Sequence, residues 1–152
     1  MKDAHLQLGS LKDRVEIIRY SSAESANDWW ASRGYTKPPY AENTVVQEIK
    51  LKEDTIFVRV YDGENSKMYG GWVMRAEDIK GLTPLKIQDK YALPATPKYI
   101  AEVKLKAGDT IRMGEANSIF GFSGGGIQFD LMGQYIGEFK GIGNLIEWSL
   151  KK

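Results

Sequence analysis

Residues 55–61, Thr-Ile-Phe-Val-Arg-Val-Tyr, constrain the fold more than any other stretch of the chain. Their period of two places Ile56, Val58 and Val60 on one face and Phe57, Arg59 and Tyr61 on the other. That is a strand, and Asp62-Gly63-Glu64-Asn65 ends it with a turn signal. Similar strand patterns recur at 15–20, 44–51, 70–75, 99–105, 110–113 and 126–131, and residues 147–150 read as a closing strand. Helical signals are confined to two places. Ser21-Ser22-Ala23-Glu24 has capping-box spacing and opens a helix through Trp29, Trp30 and Arg33, with Gly34 as its stop. Thr83-Pro84 supplies a cap and a first-turn proline for a second helix ending near Leu93-Pro94. Lys37-Pro38-Pro39-Tyr40 reads as extended loop. Many strands with two segregated helices predict an α+β fold: a bent, mainly antiparallel sheet with two or three short helices packed on it. Residues 1–14 read as a linker or lead-in and 15–152 as a single domain. Trp29 and Trp30 are adjacent on a helix, so one is expected in the core and the other partly exposed.

Composition narrows the chemistry. The chain of 152 residues has no cysteine, so disulfides, thiolate nucleophiles and thiolate metal sites are excluded. Its one histidine, His5, lies in the polar leader. A Ser–His–Asp triad built within the domain, a His–His pair and a His-ligated zinc therefore drop out, and no metal site is expected. A net charge of +1 provides no overall field towards nucleic acid or membrane. No apolar run approaches the length of a membrane-spanning helix, and no signal peptide is visible. If the domain leaves a cell, a larger parent chain or a dedicated export system is expected to carry it.

Several residues stand out as candidates for a site. Gly124-Gly125-Gly126 before a strand suggests either close approach to a ligand or a hairpin needing positive φ. Phe120 offers a ring for stacking, and Gln128 an amide. Arg59 and Arg19, each inside a strand, are either solvated outer-face residues or anion clamps, since guanidinium binds phosphate and carboxylate bidentately. Trp72, directly after Gly70-Gly71, is either core packing or a stacking platform. Glu102 and Glu115 read as surface carboxylates.

The order of these segments resembles the necrotizing-toxin NAD-glycohydrolase family. The resemblance rests on Pro38-Pro39-Tyr40, on Asp54 to Gly63, on Gly70-Gly71-Trp72, on Ala92-Leu93-Pro94, and above all on Phe120-Gly121-x-x-Gly124-Gly125-Gly126-x-Gln128-Phe129. It covers roughly residues 38–132. The chain is also similar to the C-terminal payloads of bacterial polymorphic and contact-dependent growth-inhibition toxins, which are secreted as part of larger proteins and act in the target-cell cytoplasm. The resemblance implies that NAD is a substrate rather than a bound cofactor. It assigns dinucleotide binding to Arg59, the nicotinamide ribose to Gln128 and the nicotinamide pocket to Phe120. It also implies a cognate immunity protein as partner. Two positions depart from the pattern: Tyr91-Ala92 replaces an arginine before Leu-Pro, and Lys98-Tyr99 replaces a histidine beyond it. These departures keep a second chemistry open, cleavage of tRNA, and a third reading as a non-catalytic binding module.

Overall fold

The structure is a computed structural model and describes residues 7–151. Among the described residues, eight strands form two antiparallel sheets, and the short helices 23–31, 84–91 and 145–150 pack on them. The α+β class and the antiparallel pairing expected from the sequence hold. The expected bent sheet is divided in two.

The larger sheet has the order β1-β2-β6-β7-β4, from Val15–Ser22, Val45–Leu51, Thr110–Glu115, Ile127–Asp130 and Trp72–Val73. The smaller has the order β3-β5-β8, from Thr55–Tyr61, Tyr99–Leu105 and Glu138–Asn144. A two-residue bridge ties one sheet to the other: the Val58 amide donates to the Met74 carbonyl and the Met74 amide to the Val58 carbonyl, each at 2.9 Å. Phe57, Val103 and Leu105 of the small sheet meet Ile49, Ile111, Met113 and Phe129 of the large one in the main core. The Phe57 and Phe129 rings lie 4.9 Å apart there. Phe57 faces this core, while Val58 and Val60 on the other face pack with Met74, Ile79, Ile87 and Ile100, so both faces of β3 are covered in mid-strand and Ile56, its second residue, is exposed.

Helix α1, Ala23–Ala31, is capped by the Ser22 side chain, which accepts from the Ser25 amide. The capping box was expected one residue earlier, at Ser21. Trp30 is buried and Trp29 only partly so, as adjacent helical positions require. Helix α2, Pro84–Tyr91, has Thr83 as its cap and ends at Ala92 in the left-handed conformation (φ 51°).

Three sequence readings are corrected. Residues 147–150 are helical, within α3 (Leu145–Leu150), because Asn144 caps the Glu147 amide; the closing strand is β8. The strand expected over 70–75 contracts to Trp72–Val73. The lead-in is packed along its described part: Leu8 and Leu11 are buried in the main core, and the Arg75 guanidinium donates to the Leu8 carbonyl at 2.5 Å. His5 lies outside the described residues.

A buried polar cluster ties α1 to the large sheet. The Asp130 carboxylate receives two nitrogens of Arg112 at 3.1–3.2 Å, the Tyr40 hydroxyl, the Trp30 indole N–H and the Met132 amide. Burial pushes the Asp130 carboxyl up, and Arg112 and the Tyr40 hydroxyl oppose it. The Tyr40 hydroxyl is also raised, by its own burial first and by Asp130 second. The Arg112 guanidinium lies 4.4 Å from the Trp29 ring centroid and 5.7 Å from that of Trp30.

Candidate functional site

Where the two sheets diverge beyond the Val58–Met74 bridge, a cavity of about 310 Å³ opens. Arg59, Val60 and Tyr61 of β3 form one wall, and Trp72 and Val73 of β4 with Gln128 of β7 form the other. Tyr91 and Ala92, at the end of α2, and the Leu93-Pro94-Ala95 segment close one side. Tyr35, Pro39, Ile119 and Phe120 close another, and Asn65 and Ser66 contribute polar groups. A volume of this size accepts one ring-bearing half of a dinucleotide, near the lower limit for small-molecule sites.

Arg59 is the chemically unusual member of this set. It is 9% exposed, and no carboxylate pairs with it among the described residues. Its Nε donates to the Lys67 carbonyl at 2.9 Å and its Nη1 to the Trp72 carbonyl at 3.0 Å, which leaves Nη2 without a hydrogen bond among the described residues. Burial pulls the guanidinium below its ordinary value, and Tyr35 and Tyr61 act in the opposite sense. A buried cation without a counter-charge is costly, and an anionic ligand would remove that cost.

Gln128 points into the same cavity. Its Nε2 donates to the Pro39 carbonyl at 2.8 Å, which fixes the amide and leaves Oε1 as its uncommitted acceptor. Around these two polar groups stand rings. The Trp72 indole N–H donates to the Tyr35 hydroxyl at 2.8 Å, and Trp72 lies 5.8 Å from Tyr40 and 5.3 Å from Trp30 between centroids. Phe120 is 44% exposed at the rim and holds φ 56°. Of the three described non-glycine residues with positive φ, two, Ala92 and Phe120, line this cavity. Such backbone strain persists only where the surroundings enforce it.

Asp62 organises the polar end of the cavity. Its Oδ1 accepts from the amides of Glu64, Asn65 and Ser66 at 2.8–3.0 Å, and Oδ2 accepts from the Asn65 side chain at 2.9 Å. These bonds, led by the one from Ser66, hold its carboxyl well below the usual carboxylate range. The turn at 62–66 thereby presents Asn65 and Ser66 to the cavity. The Tyr91 hydroxyl is buried without a partner among the described residues, and burial raises it above the usual phenol range.

Four of the residues singled out in the sequence, Arg59, Trp72, Phe120 and Gln128, share this cavity. Arg19 does not. It sits on the edge strand β1, its side chain is 67% exposed, and it faces Glu48 at 3.6 Å. The glycines of 124–126 do not line the cavity either. Gly124 and Gly125 have φ 71° and 92°, and the Gly124 and Gly126 amides donate to the Asp89 and Lys90 carbonyls. A Cβ on Gly126 would meet Lys90 Cγ and Tyr91 Cε1 at 2.8 Å. The triple glycine docks the hairpin against the end of α2, so its close approach is to protein. Tyr35, Asn65 and Ser66 were not anticipated as site residues. Only the Asp62-Gly63-Glu64-Asn65 turn signal touches this group in the sequence.

No group of three or more acidic or histidine side chains with metal-binding geometry occurs among the described residues, nor does a helix long and apolar enough to cross a membrane. Comparison with protein-family models, with curated proteins and with solved structures returns no match.

Proposed function

We propose that this domain is a bacterial toxin that hydrolyses NAD+ at the bond between nicotinamide and ribose. The observation that carries the reading is Arg59, a buried guanidinium without a carboxylate partner, in one ring-lined cavity with the Gln128 amide. NAD+ supplies what this cavity lacks: a flat ring for Trp72 and Phe120, ribose hydroxyls for the Gln128 Oε1, and phosphate for the Arg59 Nη2.

The reaction suits a site without histidine. The C1′–N bond breaks and its electron pair neutralises the pyridinium nitrogen, so nicotinamide leaves without prior protonation. The ribose is left as an oxocarbenium ion. Water adds to C1′ and loses its proton to solvent, giving ADP-ribose. The apolar walls exclude bulk water from the ring, and the fixed amide faces the developing charge on the ribose. Growth arrest of the target cell follows from loss of NAD+. An immunity protein would neutralise the domain by covering the cavity mouth at Phe120, and delivery would depend on a larger secreted protein.

The test is to incubate the purified domain with NAD+ and, separately, with total tRNA. Nicotinamide release, reduced about 10²–10³-fold in Gln128→Ala and Arg59→Ala, is the expected result. Intact NAD+ alongside cleaved tRNA would replace this reading with a ribonuclease. Neither product would leave a binding module.

A further inference from the structure

A second cavity, of about 450 Å³, lies on the other side of the Gly70-Gly71-Trp72 segment. Its walls carry the rings of Trp30, Tyr35, Tyr69, Tyr135 and Phe139, and no charged side chain lines it. Tyr69 and Phe139 stand 5.2 Å apart, while Tyr135 is fully exposed. Two large exposed tyrosines at the mouth of a ring-lined, uncharged hollow fit a flat neutral ligand. Gln134 adds a polar handle: its Nε2 is committed to the Thr110 and Leu131 carbonyls, at 2.8 and 2.9 Å, leaving Oε1 to accept from a ring amine.

The two cavities are neighbours by construction. Tyr35 lines both, and its hydroxyl is held by Trp72 of the first. Gly70 lines the second while its α-carbon rests against the guanidinium of Arg59, which lines the first. A cation thus stands at the partition between two ring sites.

We propose that the second cavity binds the adenine ring of the same dinucleotide whose nicotinamide half occupies the first, with the linking phosphates passing Arg59. This assignment rests on the NAD+ reading above. It explains why the first cavity is too small for a whole dinucleotide, and why the second offers rings and an acceptor but no charge.

The experiment is calorimetric titration of the full chain with AMP and, separately, with nicotinamide. It compares the native protein with a Tyr69→Ala/Tyr135→Ala variant and with Phe120→Ala. AMP affinity should fall about tenfold or more in the double variant while nicotinamide affinity changes less than twofold. Phe120→Ala should do the reverse. With NAD+ as substrate, the double variant should raise KM and leave kcat unchanged, the signature of lost uniform binding. Absence of AMP binding, or equal AMP binding by the native and double-variant proteins, overturns the assignment even if NAD+ is hydrolysed. AMP binding lost in the double variant, without nicotinamide release from NAD+, supports the adenine site and defeats the hydrolase. A single-stranded oligonucleotide that binds through Tyr69 and Tyr135 more tightly than NAD+ overturns it in favour of RNA.

Discussion

The α-carbon of Gly70 rests on the guanidinium of Arg59. A Cβ built there would stand 2.8 Å from Nε and closer still to Cζ and Nη2, whereas one on Gly71 would meet nothing within 4 Å. Neither glycine holds a positive φ, so alanine is conformationally acceptable at both. Gly70→Ala should therefore push Arg59 off the Lys67 and Trp72 carbonyls, lowering the thermal midpoint and weakening phosphate-ligand binding at least tenfold. Gly71→Ala should leave the midpoint unchanged. Equal midpoints for the two variants would show that the Gly70 contact does not position Arg59.

The glycines of the 124–126 hairpin should respond to alanine in proportion to what they touch. A Cβ on Gly124 would lie 2.6 Å from the Ala116 and Asn117 carbonyl oxygens and would also require φ 71°. On Gly126 it would lie 2.8 Å from Lys90 and Tyr91 side-chain atoms and 3.0 Å from the Lys90 carbonyl oxygen. On Gly125 it meets nothing, and only the left-handed conformation opposes it, by about 1–2 kcal/mol. Urea unfolding should rank the loss of stability as Gly124→Ala, then Gly126→Ala, then Gly125→Ala. A ligand-contact role for these glycines would predict lost binding without this ranking.

The Asp130 carboxylate and the Arg112 guanidinium are both buried, so each is tolerated because of the other. Arg112→Met strands the carboxylate among Tyr40, Trp30 and the Met132 amide, and should cost about 3–5 kcal/mol. Tyr40→Phe, which removes one donor and leaves the ion pair, should cost about 1–3 kcal/mol. Chemical denaturation measures both. A cost for Arg112→Met no larger than that for Tyr40→Phe would show that the pair is not what holds α1 to the sheet.

The Asp62 turn carries a pH dependence of definite sign. Its carboxyl is depressed in the folded chain, so its contribution is complete above the unfolded-state value of about 3.9 and is lost as pH falls below that towards the folded value. The thermal midpoint of Asp62→Ala should lie below that of the native chain by a constant amount from about pH 5 to about pH 8. The two should converge below about pH 4. A gap that widens on acidification would contradict the hydrogen-bonding pattern at 62–66.

Strands at 55–61 and 99–105 were legible to the residue because β-branched and aromatic residues alternate there and a turn signal follows at 62–65 or 107–109. β8 was not, because Gly137, Gly141 and Gly143 remove the side chains that announce a strand, and its pairing with β5 is a long-range choice. A six-residue helix such as α3 is too short to display a period, so Trp148 and Leu150 read as strand residues. The cavity was partly legible because alternation along β3 places Arg59 on a definite face. Arg19 looked equivalent, also a strand arginine among apolar neighbours. Both β1 and β3 are edge strands; what separates them is that β3 packs against the larger sheet through the Val58–Met74 bridge, whereas the Arg19 side chain on β1 is left in solvent, and no local pattern encodes that. The Gly124-Gly125-Gly126 run signalled both a close approach and a positive-φ hairpin, but the approach is to protein at the end of α2, not to a ligand.

The Val58–Met74 bridge has a mechanical consequence. Arg59 and Tyr61 belong to one sheet and Trp72 and Gln128 to the other, so the two walls of the first cavity are joined across that pair of hydrogen bonds. A molecule gripping both walls acts as a rivet across this joint. Its binding energy then appears as slowed hydrogen exchange at the Val58 and Met74 amides, whose hydrogen bonds to each other's carbonyls it does not replace.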